Sequence, residues 1–118
     1  MFEGFDEIDL GGDVVYTGVL SPELMLDDEE FEQLWELRPD EFCTIKIHGR
    51  EVKTPRWQQA YGADYRYTGQ VNRALPTTAW MDALLDDFRS RFDERLNGLL
   101  LNWYDGSMGH YIGAHRDR

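Results

Sequence analysis

The sequence contains very little cysteine and no long apolar run. Cys43 is the single cysteine among 118 residues, which excludes an internal disulfide and is typical of a reducing compartment. No apolar stretch approaches the roughly 20 residues that a membrane-spanning helix needs. The acidic start, MFEGFDEIDLGGD, lacks the features of a signal peptide. We therefore expect a soluble, intracellular protein of the cytoplasm or nucleus, with no membrane partner.

Basic residues are scarce in the first third of the chain. Residues 1–41 hold 14 acidic residues against one base, Arg38, within an overall net charge of −11. The bases of the middle segment are Lys46, Arg50, Lys53, Arg56, Arg66 and Arg73. Only this middle segment can meet a polyanion favourably, although solvated faces of a globular protein would give the same charge pattern.

The length predicts one domain, 1-118, in which residues 1-13 form a flexible acidic tail. Two segments are typical of helices: LDDEEFEQLWEL, with a capping-box pattern at Asp27 and Glu30, and PTTAWMDALLDDFRSRFDERLNG, whose apolar stripe runs to Leu96. The segments with strand character are VVYTGV, FCTIKI, RWQQAYG, DYRYTG, LLLNWY and HYIGAHRD. RWQQAYG and DYRYTG are predicted as consecutive strands joined around Gly62. Because most strands follow the helices, the order predicts an α+β fold.

Two polar pairs with the same spacing lie in NWYDGSMGHYIGAHRDR, residues 102–118. On a strand, Asn102 and Tyr104 would share one face, and so would His115 and Asp117. An imidazole beside a carboxylate supplies two corners of the triad that holds non-haem Fe(II). An amide and a phenol can hydrogen-bond a bound carboxylate. A structural His–Asp pair would show the same spacing, so the triplet alone leaves both interpretations open. His110 would face away from His115 on a continuous strand and is not predicted to be a ligand.

The segment NWYDGSMGHYIGAHRD resembles the iron-binding segment of the AlkB-like 2-oxoglutarate/Fe(II)-dependent dioxygenases. TPRWQQAYGADYRYTG is similar to the hairpin that lies over the substrate nucleotide in that family. The likeness covers most of the chain from Val14 onward. It implies the N-terminal part of a double-stranded β-helix, or jelly-roll, with two helices packed on an incomplete sheet.

The resemblance also implies a role for each matching residue. His115 and Asp117 would bind Fe(II), and Asn102 and Tyr104 would bind 2-oxoglutarate. The implied substrate-binding residues are Arg56, Gln58, Tyr61, Tyr65 and Tyr67. The implied reaction is oxidative dealkylation of N-alkylated bases in DNA or RNA, of the repair type. It consumes O₂, converts 2-oxoglutarate to succinate and CO₂, and releases an N-methyl group as formaldehyde.

The segment that would meet the substrate interleaves aromatic and basic side chains. An extruded or unpaired base needs aromatic faces to stack on and cations along its backbone. Residues 53–73 supply both, with Trp57, Tyr61, Tyr65 and Tyr67 among Lys53, Arg56, Arg66 and Arg73. Aromatic residues that pack the core of a sheet would give the same alternation.

Two parts of the family site have no counterpart after Asp117 in this sequence. They are the second His ligand and the Arg that binds the far carboxylate of 2-oxoglutarate. We therefore expect part of a longer enzyme, half of a site completed by another segment or chain, or a degenerate relative. This polypeptide alone is expected to bind Fe(II) poorly and to produce no succinate. The alternative function is a non-catalytic module, derived from that family, that binds nucleic acid or protein.

Overall fold

The computed structural model describes residues 4–67 and 69–115. This part of the chain contains two α-helices and eight short strands. The helices are α1 (Asp28–Glu36) and α2 (Ala79–Arg91). The strands are β1 (Phe5–Asp9), β2 (Val14–Gly18), β3 (Thr44–Ile47), β4 (Arg50–Lys53), β5 (Trp57–Tyr61), β6 (Tyr65–Tyr67), β7 (Gln70–Asn72) and β8 (Leu99–Trp103). The α+β prediction is confirmed. Neither helix in this part of the chain has the length and apolar character needed to cross a membrane.

The strands pair antiparallel in four two-stranded sheets, β1–β2, β3–β4, β5–β8 and β6–β7. The prediction of consecutive strands in RWQQAYG and DYRYTG, joined around Gly62, is confirmed, but the two do not form the hairpin that the resemblance implies, because β5 pairs with β8 and β6 with β7. Gly62, with φ of 83°, turns the chain away after β5, and its N–H donates to the carbonyl of Leu75 at 3.0 Å. The side chain of Asn72 bonds the edge of β5 that a consecutive strand would need.

Residues 5–9, which lie within the predicted flexible segment 1-13, form β1. The Phe5 ring packs edge-to-face on Phe92, with centroids 5.0 Å apart. Gly18 lies opposite Phe5, and a Cβ at that position would collide with the ring. The carboxylate of Asp9 accepts the Gly11 N–H at 2.8 Å and supports the turn of the hairpin. These contacts support β1 and its hairpin turn, in a segment whose acidic composition predicts a flexible tail.

Local capping signals set both helix starts. The capping box predicted for α1 is confirmed: Asp27 accepts the Glu30 N–H at 2.7 Å, and Glu30 accepts the Asp27 N–H at 3.2 Å. The side chain of Thr78 accepts the backbone N–H of Met81 at the start of α2. α2 ends before the predicted stripe does, because Phe92 leaves helical geometry with φ of −120°. Leu96 therefore lies outside the helix.

The buried core lies between α2 and one face of the β5–β8 sheet. Its fully packed members are Trp57, Tyr61, Met81 and Trp103. The partly buried side chains around them are Leu34, Trp35, Phe42, Trp80, Leu99 and Leu101. The indole N–H of Trp103 donates to the carbonyl of Leu34 at 3.0 Å, which ties α1 to the same core. The β5–β8 pair thus supplies three of the four buried side chains of this cluster, Trp57, Tyr61 and Trp103.

Replacement of Met81 by alanine is expected to lower the free energy of unfolding by about 2–5 kcal/mol. Met81 is 0% exposed, so its removal leaves a cavity that the surrounding rings fill only in part. Urea unfolding followed by circular dichroism measures the change. Ala83→Ser, at an exposed position of the same helix, is the control and should shift stability by less than about 0.5 kcal/mol. Equal effects of the two variants would contradict the position of the core.

The segment HYIGAHRD is not a strand where the structure describes it. Residues 110–115 have no regular secondary structure and follow a short 3₁₀ turn, Gly106–Met108, that ends at Gly109 with φ of 72°. The Tyr111 N–H donates to the carbonyl of Pro55 at 3.0 Å, but no strand ladder forms. The predicted strand is therefore wrong for residues 110–115. Asp117 lies outside the described residues.

Candidate functional site

The register of the β5–β8 pair brings together residues from two distant segments. Gln58 lies directly opposite Asn102. Directly opposite residues of an antiparallel pair project to the same face. Trp57 and Trp103 form the last pair of the ladder, and Arg56 and Tyr104 lie just beyond it at the same end of the sheet. Gln58 and Asn102 therefore share one face of this sheet, and Arg56 and Tyr104 follow at its end; we call these four residues the polar face.

Burial changes along the polar face. Gln58 is only 4% exposed, and Asn102 and Arg56 are half-buried. Tyr104, just beyond the end of β8, is 38% exposed. The polar face is thus buried at Gln58 and accessible to solvent at Tyr104. Amide, phenol and guanidinium groups arranged in this way can donate hydrogen bonds to a carboxylate.

Tyr61 lies on the other face of the same sheet. It is 3% exposed and packs with Met81, Trp57 and Trp103 in the core. Burial raises the pKa of the Tyr61 phenol. The structure therefore separates Tyr61 from the other residues of β5 that the resemblance assigns to substrate binding.

The segment that contains His115 passes the open end of the polar face. The Tyr111 N–H donates to the carbonyl of Pro55 at 3.0 Å, and Nη1 of Arg56 donates to the carbonyl of Tyr111 at 3.4 Å. These bonds place the segment at the start of β5, the end at which Tyr104 lies. His115 follows four residues later and is exposed.

The tautomer of His115 suits a metal ligand. Its Nδ1 lies 2.9 Å from the carbonyl oxygen of Gly113. A carbonyl only accepts, so in the neutral imidazole Nδ1 holds the proton and Nε2 has the lone pair that can bind a metal. Metal-binding histidines are commonly oriented by such a bond from the second ring nitrogen. Within residues 4–67 and 69–115, no group of three or more metal-ligating side chains is found.

The β6–β7 hairpin is attached to the strand that holds Gln58. The side-chain oxygen of Asn72 accepts the Ala60 N–H at 2.8 Å, and its amide nitrogen donates to the carbonyl of Gln58 at 3.3 Å. Tyr65 and Tyr67 lie on β6, two residues apart and therefore on one face. Tyr65 is exposed, and the side chain of Tyr67 lies outside the described part of the structure. Asn72 could not be predicted from the sequence, because a single asparagine in a strand pattern gives no signal of this bonding.

A tight loop connects β8 to the His115 segment. The carboxylate of Asp105 accepts the backbone N–H of Ser107 at 2.9 Å and its hydroxyl at 2.6 Å. These hydrogen bonds hold the pKa of the Asp105 carboxyl below its usual range, and the charges of His110 and Arg38 lower it further. The ionised form of Asp105 therefore stabilises the loop.

Acidification is expected to open this loop. Because the pKa of Asp105 is lower in the folded state, its stabilising effect is present above the unfolded value near 3.9 and is lost as the pH falls below that value. Carboxyl ¹³C shifts measured against pH follow Asp105 directly. Ser107→Ala should move the pKa of Asp105 upward, toward the ordinary value. An Asp105 that titrates normally and ignores this substitution would contradict the loop geometry.

Comparison with known proteins gives no family for this chain. Neither a protein-family profile nor a curated protein matches it. Its function is therefore inferred from the sequence motifs and the geometry of the polar face.

Proposed function

We propose that this chain holds part of the active site of an Fe(II)/2-oxoglutarate-dependent dioxygenase of the AlkB-like type. The proposed reaction is oxidative dealkylation of N-alkylated bases in DNA or RNA, with O₂ as co-substrate. The observation that supports it most strongly is the register that sets Gln58 opposite Asn102. That register gathers predicted substrate and cofactor residues, which are far apart in sequence, on one face. In this proposal the β5–β8 pair belongs to a jelly-roll.

The 2-oxoglutarate end of the proposed site lies at Asn102 and Tyr104. Asn102 lies on β8 and is half-buried. Tyr104 lies just beyond the end of β8 and is exposed. The amide N–H of one and the hydroxyl of the other would bind a carboxylate as it enters from solvent. Gln58, directly opposite Asn102, is buried.

Fe(II) would be held by His115 together with Asp117. A hydrogen bond from Nδ1 of His115 to the Gly113 carbonyl would orient the ring so that Nε2 could serve as the ligand atom. The metal, when bound with 2-oxoglutarate, supplies the O₂ chemistry. The chain itself would orient the ligands, because the Tyr111 bonds hold this segment against the start of β5.

The substrate base would be met by Arg56, Gln58 and the exposed face of the β6–β7 hairpin. Tyr65 and Tyr67 lie two residues apart on β6, a spacing that would suit stacking on an extruded base. Asn72 holds this hairpin beside Gln58. We assign Tyr61 to the core rather than to substrate contact.

Binding of 2-oxoglutarate tests the proposal. Saturation-transfer NMR detects weak ligands, and Zn(II) can replace Fe(II) without redox chemistry. We expect a 2-oxoglutarate signal that requires Zn(II) and falls at least severalfold in Tyr104→Phe, which loses one hydrogen-bond donor. Tyr16→Phe is the matched control, since Tyr16 lies on β2 and has the same 38% exposure.

A 2-oxoglutarate signal that is equal in both tyrosine variants, or that does not depend on Zn(II), would contradict the dioxygenase proposal. The alternative module is distinguished by a second titration with a methylated oligonucleotide. Oligonucleotide binding that depends on Arg56 and Tyr65, without any 2-oxoglutarate binding, would favour the non-catalytic module.

A further inference from the structure

His110 closes the loop between β8 and the His115 segment. The backbone N–H of Asp105 donates to Nδ1 of His110 at 2.9 Å. In return, the backbone N–H of His110 donates to the carbonyl of Asp105 at 3.4 Å. The same carbonyl accepts the Met108 N–H at 3.0 Å. The two ends of the loop, residues 105 and 110, are thus bonded to each other by both backbone and side chain.

Aromatic rings hold the His110 imidazole on its other sides. Its centroid lies 4.8 Å from that of Trp57 and 5.3 Å from that of Phe42, both in edge-to-face contact. The two partner rings are themselves stacked, with centroids 4.9 Å apart. His110 is therefore half-buried against the core at the start of β5, and its orientation is fixed by packing as well as by the hydrogen bond.

The Asp105 bond determines the tautomer of His110. A backbone N–H can only donate, so Nδ1 must have its lone pair available and the proton of the neutral ring lies on Nε2. His115 has the opposite arrangement, because its Nδ1 faces the Gly113 carbonyl. The two histidines of this segment therefore differ in tautomer, although only five positions separate them.

We propose that His110 is a positioning residue: through the acceptor on Nδ1 it sets the path of the chain from Tyr104 to His115. Tyr111, the next residue, bonds to Pro55, so the direction in which the chain leaves the loop is fixed at His110. The purpose assigned to this geometry rests on the proposed function, whereas the loop closure does not. The charges of His110 and Arg38 act on the carboxyl of Asp105 within this closure.

Two substitutions of His110 test the hydrogen-bond acceptor and the aromatic contacts separately. His110→Asn places Oδ1 where Nδ1 stood and keeps the acceptor, while it loses the aromatic contacts. His110→Phe keeps the contacts with Phe42 and Trp57 but has no acceptor. His48→Asn is the matched control, because His48 lies in the exposed β3–β4 turn with φ of 50°, a conformation that asparagine tolerates.

The experiment uses the full chain, labelled with ¹⁵N, above the ordinary pKa of histidine. Long-range ¹H–¹⁵N correlations should show His110 with its proton on Nε2 and His115 with its proton on Nδ1. Hydrogen exchange of the Asp105 amide should accelerate by about fivefold to tenfold in His110→Phe, and by less than about twofold in His110→Asn. Added Mn(II) should broaden the resonances around His115 in wild type, His110→Asn and His48→Asn, and less in His110→Phe.

A His110 proton on Nδ1 in the wild type would overturn the proposal. So would an Asp105 amide that stays protected in His110→Phe or loses protection in His110→Asn, since ring packing would then set the loop. If His110→Phe does not fold, two measurements still test the proposal. They are the tautomer of His110 in the wild type and the hydrogen exchange rate of the Asp105 amide in His110→Asn. Failure of Mn(II) to select His115 in the wild type would count against the proposed function, while the exchange data would still decide the loop closure.

Discussion

Replacement of His115 by alanine is expected to abolish the localised effect of Mn(II) on this chain. Mn(II) accepts the same oxygen and nitrogen ligands as Fe(II) and broadens nearby resonances even when it binds weakly. In the wild type we expect broadening at Asn102, Tyr104 and residues 111–115. Loss of the His115 imidazole should weaken this selective binding by more than about tenfold, because it removes a metal ligand rather than an outer contact.

The control for this experiment is His48→Ala, which removes an exposed histidine far from the polar face in sequence and leaves the proposed ligand in place. It should retain the wild-type pattern. The acidic N-terminal region provides an internal comparison, because its carboxylates attract any divalent cation. Broadening confined to that region, or unchanged in His115→Ala, would contradict the metal site.

Replacement of Trp57 by alanine is expected to remove most of the stability of the fold. The Trp57 ring stacks on Phe42 with centroids 4.9 Å apart, meets Trp35 at 6.0 Å, and lies under the guanidinium of Arg38 at 5.4 Å. Loss of a buried tryptophan costs about 3–5 kcal/mol, which approaches the total stability of many small domains. Urea unfolding of Trp57→Ala should show a transition at much lower denaturant, or none.

Trp57→Phe is the conservative counterpart, since it retains an aromatic ring in the same place, and it should lose much less stability than the alanine variant. The Trp57→Ala substitution should also release His110, which contacts the same ring. A Trp57→Ala protein within about 1 kcal/mol of the wild type would show that the aromatic cluster contributes little.

Local signals in the sequence predicted the elements whose ends are set by neighbouring residues. The capping box at Asp27 and Glu30 placed the start of α1, and the β-branched and aromatic runs placed β2, β5 and β8. Elements that depend on contacts elsewhere were missed. β1 is held by the packing of Phe5 on Phe92. β4 is a highly charged run whose pairing follows from a turn with positive φ at His48 and Gly49.

In the candidate site, too, local spacing predicted some features, whereas features that depend on contacts elsewhere in the fold were missed. Spacing alone identified Asn102 and Tyr104 as a pair on one side of a strand. It did not distinguish Tyr61, which the core buries, from Tyr65, which stays exposed, because alternation leaves open which face a helix will cover. The roles of Asn72 and His110 depend on bonds across loops and strand edges, which spacing does not encode.

Side-chain proximity across the β5–β8 pair tests the account most directly. Nuclear Overhauser effects measured on the full chain should connect the Gln58 and Asn102 side chains. A shift of the register by one residue would move every side chain of β8 to the other face relative to β5. Effects from Asn102 to Trp57 or Gln59, in place of Gln58, would contradict the polar face and the function proposed for it.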